Sequence, residues 1–196
     1  MSALRKVLAG LAMTGFLASS AHAGLVGVRS IEIKNAIPDW LQVAEVNALN
    51  MSNVDVASAG NAVATAPDWW SSLTMPANAI DGTTAGVYAS GQIFHEGSPR
   101  TGDTLTITFN SIQELKFFEI YGRTDCCGTR DIYDITFKDT GGTSLYFLDN
   151  LDARGSNHYA SAVLPNTNQQ VPEPASLVLL GLGLIGLAAS GRKTKN

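Results

Sequence analysis

Alternating apolar and polar residues recur in short runs along this chain, and they constrain its fold more than any other sequence feature. Over residues 104–109, Leu105, Ile107 and Phe109 occupy every second position, with threonines between them. A period of two is the signature of a β-strand with one buried face. We therefore predict an all-β fold, an antiparallel jelly-roll β-sandwich. The other predicted strands cover residues 31–34, 40–49, 115–121, 133–138, 144–148 and 159–164.

Residues 1–23 have the features of a secretory signal peptide. A positively charged start precedes an apolar stretch at residues 7–17, and Ala21-His22-Ala23 forms a small-x-small cleavage site. Such a segment is removed on export. We therefore leave it out of the predicted fold.

The segment at residues 171–196 has the features of a second targeting signal. Pro172, Glu173 and Pro174 precede an apolar run over residues 175–189, which is shorter than the ~20 residues of an ordinary spanning helix and is followed by basic residues. This order resembles the PEP-CTERM sorting tail of Gram-negative bacteria that make exopolysaccharide. The resemblance implies a short hydrophobic helix inserted transiently into the inner membrane, processing by an exosortase, and a final location at the cell surface or in the extracellular matrix. The alternative is a plain C-terminal membrane anchor whose basic end stays in the cytoplasm.

One predicted domain, residues 24–164, lies between these segments, with a polar linker at residues 165–170. It is long enough to bury one hydrophobic core. Residues 24–170 contain 8 basic and 16 acidic side chains, a net charge of −8. Affinity for nucleic acid comes mainly from neutralising phosphates, so we expect no nucleic-acid partner. An acidic surface suits an exported protein and is compatible with calcium.

A charged cluster follows the predicted strand at residues 115–121. Arg123, Asp125 and Arg130 surround Cys126 and Cys127, which are adjacent and are the only cysteines of the chain. Guanidinium groups at the end of a strand are well placed to hold an oxygen-rich ligand. In an exported chain these cysteines can form a vicinal disulfide, pair between molecules or remain free.

Glu45 stands in an apolar context. Like Leu41 and Val43 it occupies an odd-numbered position, so its carboxylate would lie on the apolar face of the predicted strand at residues 40–49. Such a group is costly unless it is paired, bound to a metal or re-aimed by a bulge at Ala44-Glu45. The alternative is an exposed glutamate on an edge strand.

Two loop regions complete the candidates. Trp69 and Trp70 can stack on a sugar, but beside a Pro-Asp turn we expect the pair to fill the end of the core.

Residues 78–83 form a polar turn with glycine, which is the start of a long irregular stretch reaching residue 102. Loops of this length usually bind something or are held by an ion. The alternative is a simple Asx-type turn.

Several of these features together resemble the F-type lectins, the fucose-binding branch of the discoidin or coagulation factor 5/8 C-domain superfamily. The family signature is a histidine followed by Arg-x-Asp-x4-Arg, whose second part is matched by Arg123, Asp125 and Arg130. His95 is separated from Arg123 by 27 residues, one more than usual. His158 follows the motif and cannot take the role of that histidine. The resemblance implies a galactose-binding-like jelly roll, a glycan partner and a structural calcium ion.

The resemblance also implies roles for individual residues. His95, Arg123 and Arg130 would hold the axial hydroxyl and ring oxygen of fucose, and Asp125 would orient an arginine. The cysteine pair would form a disulfide that packs as an apolar knob against the sugar ring. Carboxylates, a hydroxyl and backbone oxygens would bind calcium, the residues being Asn78, Asp81, Thr83, Ser90, Ala44 and Glu45. Relatives often carry Asn at the position of Thr83.

The order of the strands departs from the family. Its members normally end with strands of the type Arg-Tyr-x-x-Ile and Leu-x-Leu-x-Glu-x-x-Val, which do not follow Tyr159 here. Similar segments stand instead at residues 28–33 and 41–46. A circular permutation explains this simply, because the termini of a sandwich tend to lie close together.

The sequence contains no recognised catalytic constellation. Motifs of the GxSxG and HExxH types are absent from it, so no catalytic residue is predicted and we do not expect an enzyme. We predict an exported, calcium-stabilised carbohydrate-binding protein of the cell surface or exopolysaccharide matrix. The alternative is a structural matrix or surface protein that binds no sugar and is processed by an exosortase.

Overall fold

The computed structural model describes residues 24–98, 103–155 and 157–167. The predicted signal peptide, the end of the linker and the predicted C-terminal hydrophobic helix lie outside the described residues. None of the helices within these ranges is long and apolar enough to cross a membrane.

Nearly all regular structure in these residues is β-strand, and the pairings between strands are antiparallel. The mostly antiparallel β fold is therefore confirmed. The strands are Leu25–Asn35 (β1), Gln42–Val43 (β2), Glu45–Asn50 (β3), Ala62–Thr65 (β4), Phe94–His95 (β5), Leu105–Tyr121 (β6), Ile132–Lys138 (β7), Ser144–Asp152 (β8) and Tyr159–Val163 (β9). Short 3₁₀ helices cover Pro76–Ile80, Tyr88–Ser90 and Gly128–Arg130.

The long strand β6 organises the main sheet. Its first half lies between β1 and β4, and its second half between β3 and β9. Strands β7 and β8 continue the sheet beyond β1. The predicted strands at residues 104–109 and 115–121 are thus two parts of one strand, so the prediction of a break between them is wrong. Pairing with β1 continues on both sides of two register shifts between Val26 and Ser30, the larger of which leaves extra residues of β6 between Thr108 and Gln113.

The hydrophobic core is built from the alternating positions. On β6, Leu105, Ile107 and Phe109 are fully buried, and every second residue of β7 from Tyr133 to Phe137 is buried in the same way. Burying one such apolar side chain contributes about 1.5–3 kcal/mol. Alternation is therefore sufficient to decide which face of each strand points inward, as predicted.

The predicted strand at residues 40–49 is two strands, because the chain bends at Ala44. Strand β2 pairs with β5, whereas β3 pairs with β6. Glu45 begins β3 and is fully buried, so the alternative of an exposed glutamate is wrong. Its carboxylate accepts a hydrogen bond from the backbone of Gly82, which ties this bend to the turn at residues 78–83.

Candidate functional site

The candidate site lies where β6 ends beside the small β2–β5 sheet. Residues 122–131, here called the disulfide loop, connect β6 to β7 and carry Arg123 and Arg130. His95 ends β5 and is paired with Gln42 of β2. Parts of the chain that are far apart in sequence therefore meet at this end of the sheet.

The ring of His95 forms the floor of the site. The residue is 8% exposed, and its ring centroid lies 5.0 Å from that of Trp40, 5.9 Å from that of Tyr88 and 6.0 Å from that of Trp70. Its Nδ1 is 2.8 Å from the carbonyl oxygen of Glu96. Because a carbonyl can only accept, Nδ1 carries the proton and Nε2 of the neutral ring is an acceptor.

Both arginines of the motif contact residues that surround His95: Arg123 lies over the Tyr88 ring, and Arg130 pairs with Asp39, which directly precedes Trp40. Burial lowers the pKa of His95, and the charges of Arg123 and Arg130 lower it further, so the imidazole is neutral at pH 7. Each guanidinium has its own carboxylate. The Nε of Arg123 is 2.5 Å from Oδ1 of Asp125, and that of Arg130 is 3.2 Å from Oδ1 of Asp39. Since both positive charges are balanced within the protein, the site suits a neutral ligand better than an anion.

Asp125 holds Arg123 in one orientation. The hydrogen bond from Arg123 keeps the pKa of Asp125 below its usual range. The second carboxylate oxygen accepts the backbone N–H of Tyr88 at 3.2 Å. The guanidinium carbon of Arg123 also lies 4.6 Å from the centroid of the Tyr88 ring, a cation–π contact. Asp125 and Tyr88 together fix the direction of the guanidinium group.

Cys126 and Cys127 form a disulfide with each other. The free and intermolecular alternatives therefore do not describe this structure. Cys127 adopts a left-handed backbone conformation with φ of 61°, and the 3₁₀ helix Gly128–Arg130 begins directly after it. The half-buried disulfide thus lies in the loop between the two arginines.

The aromatic side chains around His95 were not predicted as a group. Trp69 and Trp70 are 44% and 55% exposed, so the expectation that they fill the end of the core is wrong. Asp68, in the turn before them, accepts hydrogen bonds from the backbone N–H of Gly97 and the hydroxyl of Ser98. The backbone N–H of Trp70 donates to the carbonyl of His95 at 3.0 Å, and its ring meets that of Trp40 edge-on at 5.3 Å. No local sequence pattern joins positions so far apart.

Gln42 is a second group that sequence reasoning missed. It is 1% exposed, and neither its amide nitrogen nor its amide oxygen has a hydrogen-bond partner within the described residues. The next pair of the small sheet, Val43 and Phe94, belongs to the hydrophobic core. Because strand side chains alternate, Gln42 and His95 share the opposite face. The only signal in the sequence was a glutamine between two apolar residues.

Glu45 and Asp81, two of the predicted calcium ligands, lie close together. One carboxylate oxygen of Glu45 accepts the Gly82 N–H at 3.1 Å, whereas Oε1 is buried with no hydrogen-bond partner in the described part of the chain. Burial raises the pKa of Glu45 to about 7, and the charge of Asp81 adds to this shift. Asp81 in turn accepts the Thr83 N–H at 2.8 Å. An orphaned carboxylate oxygen beside a second carboxylate fits a hard cation.

The remaining predicted calcium ligands are less closely connected. Ala44 directly precedes Glu45, and the side-chain amide of Asn78 donates to two backbone carbonyls, which leaves its backbone oxygen as the candidate ligand. Ser90 belongs to a separate 3₁₀ helix, and within the described ranges no hydrogen bond joins its hydroxyl to Glu45 or Asp81. These ranges contain no group of three or more His, Cys, Asp and Glu placed to hold a metal ion. The proposed calcium site therefore needs neutral oxygen ligands in addition to the two carboxylates.

The sorting segment is identified by comparison with known families. Residues 170–193 match the family described as the PEP-CTERM protein-sorting motif, which confirms the predicted sorting motif; Pro172, Glu173 and Pro174 lie within the matched range. No curated protein matches the chain, and no solved structure matches it. The motif indicates an exported bacterial protein that is processed by an exosortase and sorted to the cell surface.

Proposed function

We propose that the exported protein binds a neutral sugar, fucose or a related deoxyhexose, in the exopolysaccharide matrix or on another surface. The observation that carries this proposal is a neutral histidine whose aromatic neighbour Tyr88 also contacts Arg123, with both arginines of the motif balanced by carboxylates. A sugar hydroxyl both donates and accepts hydrogen bonds. The Nε2 atom of His95 can accept from it, while the N–H groups of Arg123 and Arg130 donate to its oxygen.

A sugar also needs an apolar wall for its C–H face. The exposed ring of Trp70, whose centroid is 6.0 Å from that of His95, and the half-buried disulfide between the two arginines are the proposed surfaces for this face. Aromatic rings supply large contact areas with little loss of conformational entropy. The proposed site would thus combine donors, an acceptor and an apolar wall.

We propose further that the fold is a circularly permuted jelly roll of the F-type lectin kind. The backbone N–H of Val26 donates to Oγ1 of Thr167 at 3.1 Å, and the N–H of Thr167 lies 3.4 Å from the carbonyl oxygen of Gly24. The two ends of the domain therefore touch. Joining them and opening the chain elsewhere is physically easy under these conditions.

Calcium is proposed as the structural ion. Bound to Glu45 and Asp81, it would neutralise a carboxylate that is now buried with one oxygen unpaired. Hard cations of this kind take a mixture of carboxylate, hydroxyl and backbone oxygens. The other proposed ligand oxygens are the backbone carbonyls of Ala44, Asn78 and Thr83 and the hydroxyl of Ser90.

Titration calorimetry of the mature protein tests the sugar proposal. We expect saturable binding of fucose in calcium buffer, and weaker binding of glucuronate, because the arginines already have carboxylate partners. Fucose is uncharged, so its affinity should change little with salt concentration. An absence of fucose binding in calcium buffer contradicts the proposal.

Reduction of the vicinal disulfide is expected to weaken fucose binding without much loss of stability. A disulfide between adjacent residues closes almost no chain loop and so adds little to the unfolding free energy. Intact mass confirms reduction, and calorimetry with thermal unfolding measures the two effects. The double variant Cys126→Ser with Cys127→Ser is the control. It should bind fucose as weakly as the reduced protein, and the reductant should not change its affinity. Unchanged affinity after complete reduction contradicts a role of the disulfide in the site.

A further inference from the structure

Two side chains that contact the disulfide loop, the buried carboxylate of Asp131 and the half-buried ring of His158, take no part in the proposed sugar contacts. We infer that Asp131 and His158 form a clamp that sets the position of this loop, and through it the positions of Arg123 and Arg130. They are thus positioning residues of the site. This inference rests on the proposed function. Three sets of contacts and one backbone conformation support it.

Asp131 contacts both ends of the disulfide loop. Its side chain is buried, and a hydrogen bond from the backbone N–H of Arg123 favours its charged form. The carboxylate lies directly on Gly122, where an added Cβ would collide with it. Its own backbone N–H donates to the carbonyl of Gly128 at 3.3 Å. One residue therefore ties the start of the loop to its end.

His158 holds the same loop from the β9 side. Its Nδ1 is 3.2 Å from Oδ2 of Asp131, and its backbone carbonyl accepts the N–H of Gly122 at 2.7 Å. The ring lies so close to Gly128 that a Cβ added there would collide with it. The close approach of the His158 ring to the backbone at position 128 thus requires glycine there.

The backbone of His158 is held in an uncommon conformation. Its φ of 48° lies in the left-handed region, which few residues other than glycine adopt, although histidine, asparagine and aspartate are enriched there. Such conformations persist only where the surroundings impose them, and they cluster at functional sites. The contacts with Gly122, Gly128 and Asp131 are the surroundings that impose this one.

The clamp is also connected to the strand that faces His95. The hydroxyl of Tyr133 lies 3.3 Å from Oδ1 of Asp131 and donates to the carbonyl of Gln42 at 2.7 Å. Gln42 is paired with His95 across the small sheet. A continuous set of buried contacts therefore runs from the arginine loop to the histidine, and it can fix their relative positions.

A rescue experiment separates this role from a general contribution to stability. Gly128→Ala places a methyl group against the ring of His158 and should displace the loop. His158→Asn removes Cε1, the ring atom nearest to the added methyl group, and its shorter amide can turn away from that methyl while still donating an N–H to Asp131. Asparagine also tolerates the left-handed conformation. We expect Gly128→Ala to weaken fucose binding about tenfold, and Gly128→Ala with His158→Asn to restore it to within about twofold. The matched control is Gly141→Ala, in an exposed turn with room for a Cβ.

Amide hydrogen exchange of residues 122–131 in the same full-length variants gives a measurement that does not need a sugar. We expect faster exchange in Gly128→Ala and normal exchange in the double variant, with thermal unfolding confirming that each variant is folded. Two results overturn the clamp: unchanged affinity and exchange in Gly128→Ala, or no recovery of either in the double variant. If the wild type does not bind fucose but exchange follows the expected pattern, the clamp is supported and the sugar proposal fails.

Discussion

Replacing Arg123 or Arg130 with alanine is expected to lower fucose affinity by at least about 100-fold, because each guanidinium group supplies charge-assisted hydrogen bonds worth about 1.5–3 kcal/mol each. The substitution also leaves Asp125 or Asp39 as an unbalanced negative charge beside the ligand. Calorimetry measures the affinity, and thermal unfolding should show a folded protein, since these salt bridges are partly exposed and contribute little to stability.

Lys138→Ala is the matched control for these variants. Lys138 pairs with Glu32 at 2.6 Å with side chains 25% and 28% exposed, close to the 26% and 28% of the Arg130–Asp39 pair. It ends β7, whereas the candidate site lies at the start of that strand. Lys138→Ala should therefore bind fucose normally. If both arginine variants also bind normally, the sugar proposal is contradicted, and a structural protein that binds no sugar becomes the better description.

The second large effect concerns calcium and Glu45. With a chelator present, we expect the contribution of Glu45 to stability to fall as the pH rises from 5 to 8, while His95, whose pKa is lowered by burial, acts in the opposite direction. The pKa of Glu45 is about 7 in the folded protein against 4.5 for the ordinary group. Its contribution is therefore fully present below pH 4.5 and is lost as the pH rises through 7. This shift corresponds to about 3 kcal/mol of unfolding free energy. Asp131, with its pKa raised to about 6 by burial, acts in the same direction.

Calcium is expected to reverse this trend, because it binds the charged form of Glu45 and should stabilise the protein most above pH 7. Urea unfolding at pH 5 and pH 8, with calcium or with chelator, measures both effects. Glu45→Gln should lose the calcium stabilisation and the Glu45 part of the pH dependence, while the part from Asp131 remains. Glu32→Gln, on the surface, should behave like the wild type. A wild type that calcium does not stabilise at pH 8 contradicts the proposed ion site.

The strand faces were predictable because each depends on a local pattern. Leu105, Ile107 and Phe109 point inward for the same reason wherever the strand lies in the sheet, since side chains alternate and apolar burial is favourable. The ends of strands were less predictable. The two predicted parts of β6 are one strand because β1 pairs with both across a register shift, and this depends on pairing between distant segments.

The candidate site was predictable only in part. Arg123, Asp125, Arg130 and the cysteine pair stand together in the chain, so their shared position in one loop followed from sequence. The aromatic neighbours of His95 come from three separate segments outside the strands, and no local pattern relates them. The same holds for Asp131 and His158, which meet only because β7 and β9 begin at the same end of the molecule.

Local chemistry along the chain was enough to specify the mostly β fold, the arginine–cysteine loop and the sorting segment at residues 170–193. Strand period and targeting signals are properties of neighbouring residues. Tertiary structure alone decided that Glu45 is buried, that Trp70 lies outside the core beside His95, and that His158 contacts Asp131 of the disulfide loop. Burial and pairing depend on residues far apart in sequence, so these features exist only once the strands have packed together.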